Sequence, residues 1–196
     1  IMRLLLSRRN DCINEKSVKV ELISGGCISY SETVDRIEIT PLHAAILNKN
    51  TNIVKICLEN PNIDINIPFI TYSLNKWSYD GFKSFFQKKE NDKIKTQSSV
   101  LYLAVSNYNV DIVRLLLNQP KIDINMKSTL KPNRYDDLVQ SRTALHEAVK
   151  SEQIEIINLL LQQPKIDINA LDENHKKPID YTNDEKIIEL FKKIQK

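Results

Sequence analysis

Glycine is nearly missing: the 196 residues hold three, Gly25, Gly26 and Gly81. A chain this poor in glycine has no Gly-rich loop to cradle a phosphate, which excludes the nucleotide-binding motifs built on one. Cysteine is as scarce. Cys12, Cys27 and Cys57 form an odd set without paired spacing, which gives no disulfide framework and suits a reducing, cytoplasmic setting. The three histidines, His43, His146 and His175, share no metal-ligand spacing with the cysteines, so no metal and no cofactor is expected. Ser141-Arg142 and the scattered aspartates make no recognisable triad, and no catalytic residue is assigned. No apolar run approaches the roughly 18 residues needed to cross a bilayer, and no signal peptide is visible. A net charge of +3 is too small to argue for nucleic acid. The 41% hydrophobic and 27% charged fractions fit a soluble globular chain.

What the chain does have is repetition. Thr40-Pro41-Leu42-His43-Ala44-Ala45 leads to Ile53-Val54-Lys55-Ile56-Cys57-Leu58 and closes on Pro61-Asn62-Ile63-Asp64-Ile65-Asn66. Ser99-Val100-Leu101-Tyr102-Leu103-Ala104 leads to Ile112-Val113-Arg114-Leu115-Leu116-Leu117 and closes on Pro120-Lys121-Ile122-Asp123-Ile124-Asn125. Thr143-Ala144-Leu145-His146-Glu147-Ala148 leads to Ile154-Glu155-Ile156-Ile157-Asn158-Leu159-Leu160-Leu161 and closes on Pro164-Lys165-Ile166-Asp167-Ile168-Asn169. Each copy reads as helix, turn, helix, extended stretch. Thr or Ser can cap the first helix, and Pro41 at the first helical position costs no hydrogen bond. Apolar residues recur at helical spacing in the second helix. The following Pro cannot continue it, and Asp-Ile-Asn supplies turn-forming side chains. Such a pair cannot bury its apolar face alone and must stack on neighbours.

These copies resemble the ankyrin repeat, whose signature is T-P-L-H-x-A before a second apolar helix. Thr40 to Ala45 match throughout; Thr143 to Ala148 differ by Ala144 for Pro; Ser99 to Ala104 carry Tyr102 for His. The resemblance implies an all-α solenoid of stacked helix pairs, built for protein–protein recognition and not catalysis, with His43 and His146 bonding backbone between repeats. It implies binding through the finger loops and the exposed ends of the first helices, here Leu47 and Asn48, Ser106 and Asn107, Lys150 and Ser151. It places Lys49, Tyr108 and Glu152 where the family carries Gly at positive φ. Tyr102→His is expected to be nearly neutral.

Ile1-Met2-Arg3-Leu4-Leu5-Leu6 aligns with Ile112 to Leu117. The chain thus opens on a second helix, in a partial repeat at 1–14, and reads as a fragment of a longer protein; a lone capping helix is the other reading. Repeats follow at 40–66, 99–125 and 143–169, then a capping repeat at 170–196 with Pro178-Ile179 and a last helix near 184–195. Between each closing Asn and the next Thr position lie 25, 32, 17 and 7 residues. The excess falls in three finger-loop insertions, 15–39, 67–98 and 126–142, on one edge of the solenoid. Alternation around Gly25-Gly26 suits a β-hairpin. Lys131-Pro132-Asn133-Arg134 is a turn signal.

The insertion at 67–98 is the unusual one. Phe69, Tyr72, Trp77, Tyr79, Phe82, Phe85 and Phe86 are seven of the thirteen aromatics, and lysines follow from Lys83 onward. Spacing from Tyr79 to Phe86 suits a short helix capped by Ser78. The rings either fold back on the solenoid or present anchors to a partner. The partner-facing set is Trp77, Tyr79, Phe82, Lys83, Phe85 and Phe86. Replacing 70–95 by a short turn is expected to leave the helices folded. The expected partner is another protein, bound by a monomer. Nucleic acid is disfavoured, resting only on the lysines and rings of 72–95. An alternative makes the chain the substrate-recognition arm of a larger enzyme.

Overall fold

The structure is a computed structural model that describes residues 14, 17–23, 33–75, 93–130 and 140–194. Three helix pairs stand where the repeats read as helical: α1 (Pro41–Leu47) with α2 (Thr51–Leu58), α3 (Val100–Ser106) with α4 (Val110–Leu117), and α5 (Ala144–Lys150) with α6 (Ile154–Leu161). Two turns of helix are unstable alone in water. Local caps and tertiary burial supply what length does not. Thr40, Ser99 and Thr143 each accept from the backbone N–H three residues on, and Pro41 opens α1. α1 packs on α3 and α3 on α5, while α2, α4 and α6 form the second row. Between the rows lie Ile46, Val54, Cys57, Leu101, Ile112, Leu116, Leu145, Ile157 and Leu160, all buried. Burial pushes the Cys57 thiol up to about 11, so it is a small apolar core residue without thiolate reactivity.

The C-terminal unit departs from the pattern. Its first helix shrinks to a single 3-10 turn at Pro178–Tyr181, followed by α7 (Glu185–Ile194). Ile187 and Phe191 of α7 are buried against α6, and lysines and glutamates cover its outer side, as a solenoid end requires.

The expectation of an all-α chain is corrected at the finger edge. Among the described residues six strands form one antiparallel sheet in the order β1-β2-β3-β4-β5-β6: β1 (Ser17–Ile23), β2 (Thr33–Ile39), β3 (Phe69–Asn75), β4 (Lys93–Ser98), β5 (Ser128–Leu130) and β6 (Gln140–Arg142). Each insertion is a hairpin, as the alternation in 15–39 suggested for the first. Each hairpin also pairs with the next: β2 with β3 from Thr33↔Asn75 to Glu38↔Ile70, and β4 with β5 at Thr96↔Leu130 and Gln97↔Thr129. Antiparallel strands joined by hairpins satisfy their backbone groups sideways, so the described strands of the insertions build one shared element. The expected helix at 78–86 and the turn at Gly25-Gly26 lie outside the described residues.

Candidate functional site

The first helices are locked to the fingers by one recurring need: the backbone N–H of each capping residue must find an acceptor. Three solutions serve four units. Thr40 N donates to His43 Nδ1 at 3.0 Å and Thr143 N to His146 Nδ1 at 3.3 Å. Accepting at Nδ1 leaves the His146 proton on Nε2, which reaches the Lys176 carbonyl at 3.1 Å; the imidazole bridges to the following finger. Where Tyr102 replaces His, Ser99 N donates to Ser128 Oγ at 3.0 Å, and Ser128 is fully buried. In the last unit Lys177 N donates to Asp180 Oδ2 at 2.8 Å. Sequence reasoning missed Ser128, whose partner is 29 residues away.

Tyr102 has a separate use. Its hydroxyl donates to Glu147 Oε2 at 2.7 Å, across from α3 to α5, and burial followed by that bond raises its pKa. Ser151 Oγ donates to the other oxygen, Glu147 Oε1, at 3.3 Å.

The closing Asp-Ile-Asn forms a second tie. Asp64, Asp123 and Asp167 each accept, through Oδ1, from the N–H two residues on at 3.0 Å. That turn aims the Asn side chain at the next repeat. Asn66 Nδ2 donates to Lys121 O at 2.8 Å while its Oδ1 accepts from Asp123 N at 2.9 Å. Asn125 does the same to Lys165 O and Asp167 N, and Asn14 to Asn62 O and Asp64 N. Three amides thus form an inter-repeat ladder. The aspartates are the turn residues expected; the asparagines reach 40 residues or more beyond them.

On this frame the ends of α1, α3 and α5 come into line. Leu47 is 41% exposed, and Asn48, Ser106 and Lys150 are exposed. Asn107 and Ser151 are half-buried. Much of the polar capacity is turned inward: Asn48 Nδ2 donates to Ala44 O at 2.8 Å and Ser106 Oγ to Leu103 O at 3.1 Å. Leu47 and Lys150 are left as the groups most available to a partner. Of the insert, Phe69 packs on the core and lies 5.9 Å, ring to ring, from His43, so this ring is packing. Trp77, Tyr79, Phe82, Lys83, Phe85 and Phe86 lie outside the described residues.

A charged cluster fastens the last unit. Arg142 of β6 is buried. It lies 3.9 Å from Asp172 Oδ2 and 3.6 Å from Glu173 Oε1, and its guanidinium sits 5.0 Å over the Tyr181 ring. Tyr181 donates to Asp172. Burial alone would raise the Asp172 carboxyl, but hydrogen bonds from Tyr181, Lys176 N and Asn174 N outweigh it and hold the group below its ordinary value. Burial and that same bond raise the Tyr181 phenol. These charges are paired and structural. Among the described residues no group of His, Cys, Asp and Glu has metal-binding geometry, and no helix is long and apolar enough to cross a membrane.

Comparison with known proteins follows the geometry. A family model for ankyrin repeats, in three copies, matches residues 69–172, and a single ankyrin-repeat model matches 38–67. No curated protein matches. Among solved structures, the Osh1 ANK domain from Kluyveromyces lactis is 19% identical with a TM-score of 0.38, over 49% of this chain and 37% of that one. The ankyrin repeat protein EF0377 is 21% identical with a TM-score of 0.42, over 80% of this chain and 79% of that one. The chain therefore spans well under half the length of the Osh1 domain.

Proposed function

Because this chain belongs to the ankyrin-repeat family, whose model covers more than half of it, we propose that it binds a partner protein through the aligned ends of its first helices together with its finger hairpins. Ankyrin repeats are generally protein–protein interaction modules. The observation that carries the reading is the column Leu47, Ser106 and Lys150, set at equivalent ends of three stacked helices. An apolar group and a cation stand there on a frame pre-organised by the asparagine ladder, so little ordering entropy is lost on binding. In the same reading Trp77, Phe85 and Phe86, in the stretch between β3 and β4, supply aromatic anchors. In this reading the protein works inside a cell, which the odd, unpaired cysteine count supports.

Site-specific photo-crosslinking tests this. A crosslinker at Leu47, Ser106 or Lys150 should yield one protein adduct of common mass in the source cells, and a crosslinker at Trp77 should yield the same one. Arg114, paired at 2.7 Å with Glu155 on the second row of helices, is the control. Adducts confined to the Arg114 position, or adducts that are nucleic acid, would refute the assignment.

A further inference from the structure

The turn between α3 and α4 and the turn between α5 and α6 bound a cleft of about 190 Å³, lined by Tyr108, Val110, Gln153, Ile154, Glu155 and Ile156. It lies at the end of the first helices away from the sheet, because β4 and β6 run into α3 and α5 at their N-terminal ends. Apolar groups are open to a ligand there: Tyr108 is 64% and Ile154 41% exposed. Among them stands the Gln153 carboxamide, whose Oε1 and Nε2 are both buried without a hydrogen-bond partner. An amide buried unpaired costs free energy, which a ligand able to pair with it would recover.

One junction alone combines these features. The preceding junction has Lys49, Thr51 and Asn109 where this one has Tyr108, Val110 and Gln153, and Asn109 Oδ1 is taken by Ile112 N. The backbone at Gln153, φ −82° and ψ 74°, is close to that of the capping Asn50, φ −90° and ψ 87°. The difference is therefore one methylene, and no side chain caps α6. Of the lining residues only Glu155 is charged, and it is paired with Arg114 at 2.7 Å, so the cleft suits a neutral group. Its volume lies below the roughly 300 Å³ at which drug-sized sites begin. A donor and an acceptor on one side-chain amide match the C=O and N–H of a peptide backbone. We propose that this cleft is a subsite for a peptide chain: one apolar side chain seats against Tyr108, Val110 and Ile154, and the peptide group beside it pairs with Gln153. The peptide C=O accepts from Nε2, and the peptide N–H donates to Oε1. The cleft lies beside the column of Leu47, Ser106 and Lys150 but does not rest on it.

The probe is N-acetyl-leucine methylamide, one apolar side chain between two peptide groups. Titrated into the full chain, it should give saturable shifts in nitrogen–proton NMR spectra at Tyr108, Val110, the Gln153 side-chain NH₂ and Ile154 to Ile156. N-acetyl-glycine methylamide lacks the side chain and isoamyl alcohol lacks the amide; each should bind about tenfold more weakly or worse. Gln153→Asn separates ligand from fold. The shorter amide can cap Ile156 N as Asn109 caps Ile112 N, so this variant should melt higher and yet lose affinity about tenfold. Ile154→Ser should also weaken binding, with an unchanged circular dichroism spectrum. A probe that gives no saturable shift overturns the proposal. Isoamyl alcohol binding as well as the leucine probe would reduce the cleft to an apolar dent and overturn it too, as would a Gln153→Asn chain that binds like the natural one.

Discussion

At position 102 a phenol stands where the neighbouring repeats carry imidazole. Comparing repeats by sequence suggests that His there would be neutral. The bond to Glu147 says otherwise, because the hydroxyl is a buried donor with a charged acceptor in the next helix pair. Tyr102→Phe should lose about 1–3 kcal/mol in urea melts, and Tyr102→His should lose at least as much, since the shorter ring also leaves space in the core. A loss below a few tenths would show the bond to be idle. His146 makes a different prediction. Burial lowers its pKa, outweighing the Lys176 carbonyl and Asp172. As pH falls, the unfolded chain therefore takes the proton first. The stabilisation is whole above the ordinary value of 6.5 and is lost below it, by at most about 1.4 kcal/mol per pH unit. Asp172 acts in the same direction in a more acid range, its carboxyl being held down in the fold. His146→Gln should thus flatten the stability profile between pH 7 and 5; an unchanged slope would refute the buried neutral imidazole. Legibility at this scale follows distance along the chain. The Thr caps and Asp turns are bonds of two or three residues and are readable from the motif. Ser128, Glu147 and the asparagine rungs act over tens of residues, and no local pattern marks them.

Among the elements, the turn joining each helix pair was readable and the sheet was not. Lys49, Tyr108 and Glu152 take φ of 53°, 56° and 52°, the left-handed region that favours glycine. Asn50 and Asn109 then cap α2 and α4, accepting from Ile53 N and Ile112 N at 3.1 and 3.0 Å. Gln153 makes no such bond, and its amide atoms are buried without a protein partner. The third turn is therefore the weakest. Glu152→Gly should raise stability by about 0.5–1 kcal/mol despite glycine's entropy cost; a neutral or lower value in denaturant melts would count against stored strain. The sheet escaped the reading because strand pairing is non-local and the alternation in 67–98 is obscured by its rings. It also moves the boundary of what can be cut. Replacing all of 70–95 would take nearly all of β3 and half of β4 and leave β2 and β5 with bare edges, a template for aggregation. Replacing 78–90 alone by a short turn should keep helical content, cooperative unfolding and monodispersity, since a shorter loop changes closure entropy only slightly. Loss of cooperativity would show that the tip is core.

The molecule as a whole is a row of units in which each contacts its neighbours. The asparagine ladder is the clearest expression of this: every rung spans one junction and none spans two. That arrangement has a mechanical meaning. Pulled from its ends, such a chain shares the load across its rungs in series, and it yields at one junction at a time. The rungs sit at Asn14, Asn66 and Asn125, with Asn169 closing the last repeat. The fingers make these intervals unequal, longest in the middle and shortest at the C-terminal side. Each junction that gives way releases its own length of chain, in proportion to its residues. Single-molecule stretching should therefore show extension steps of three sizes, the largest from the unit between Asn66 and Asn125. The unequal fingers give the protein a readable order of yielding that an array of identical repeats would lack.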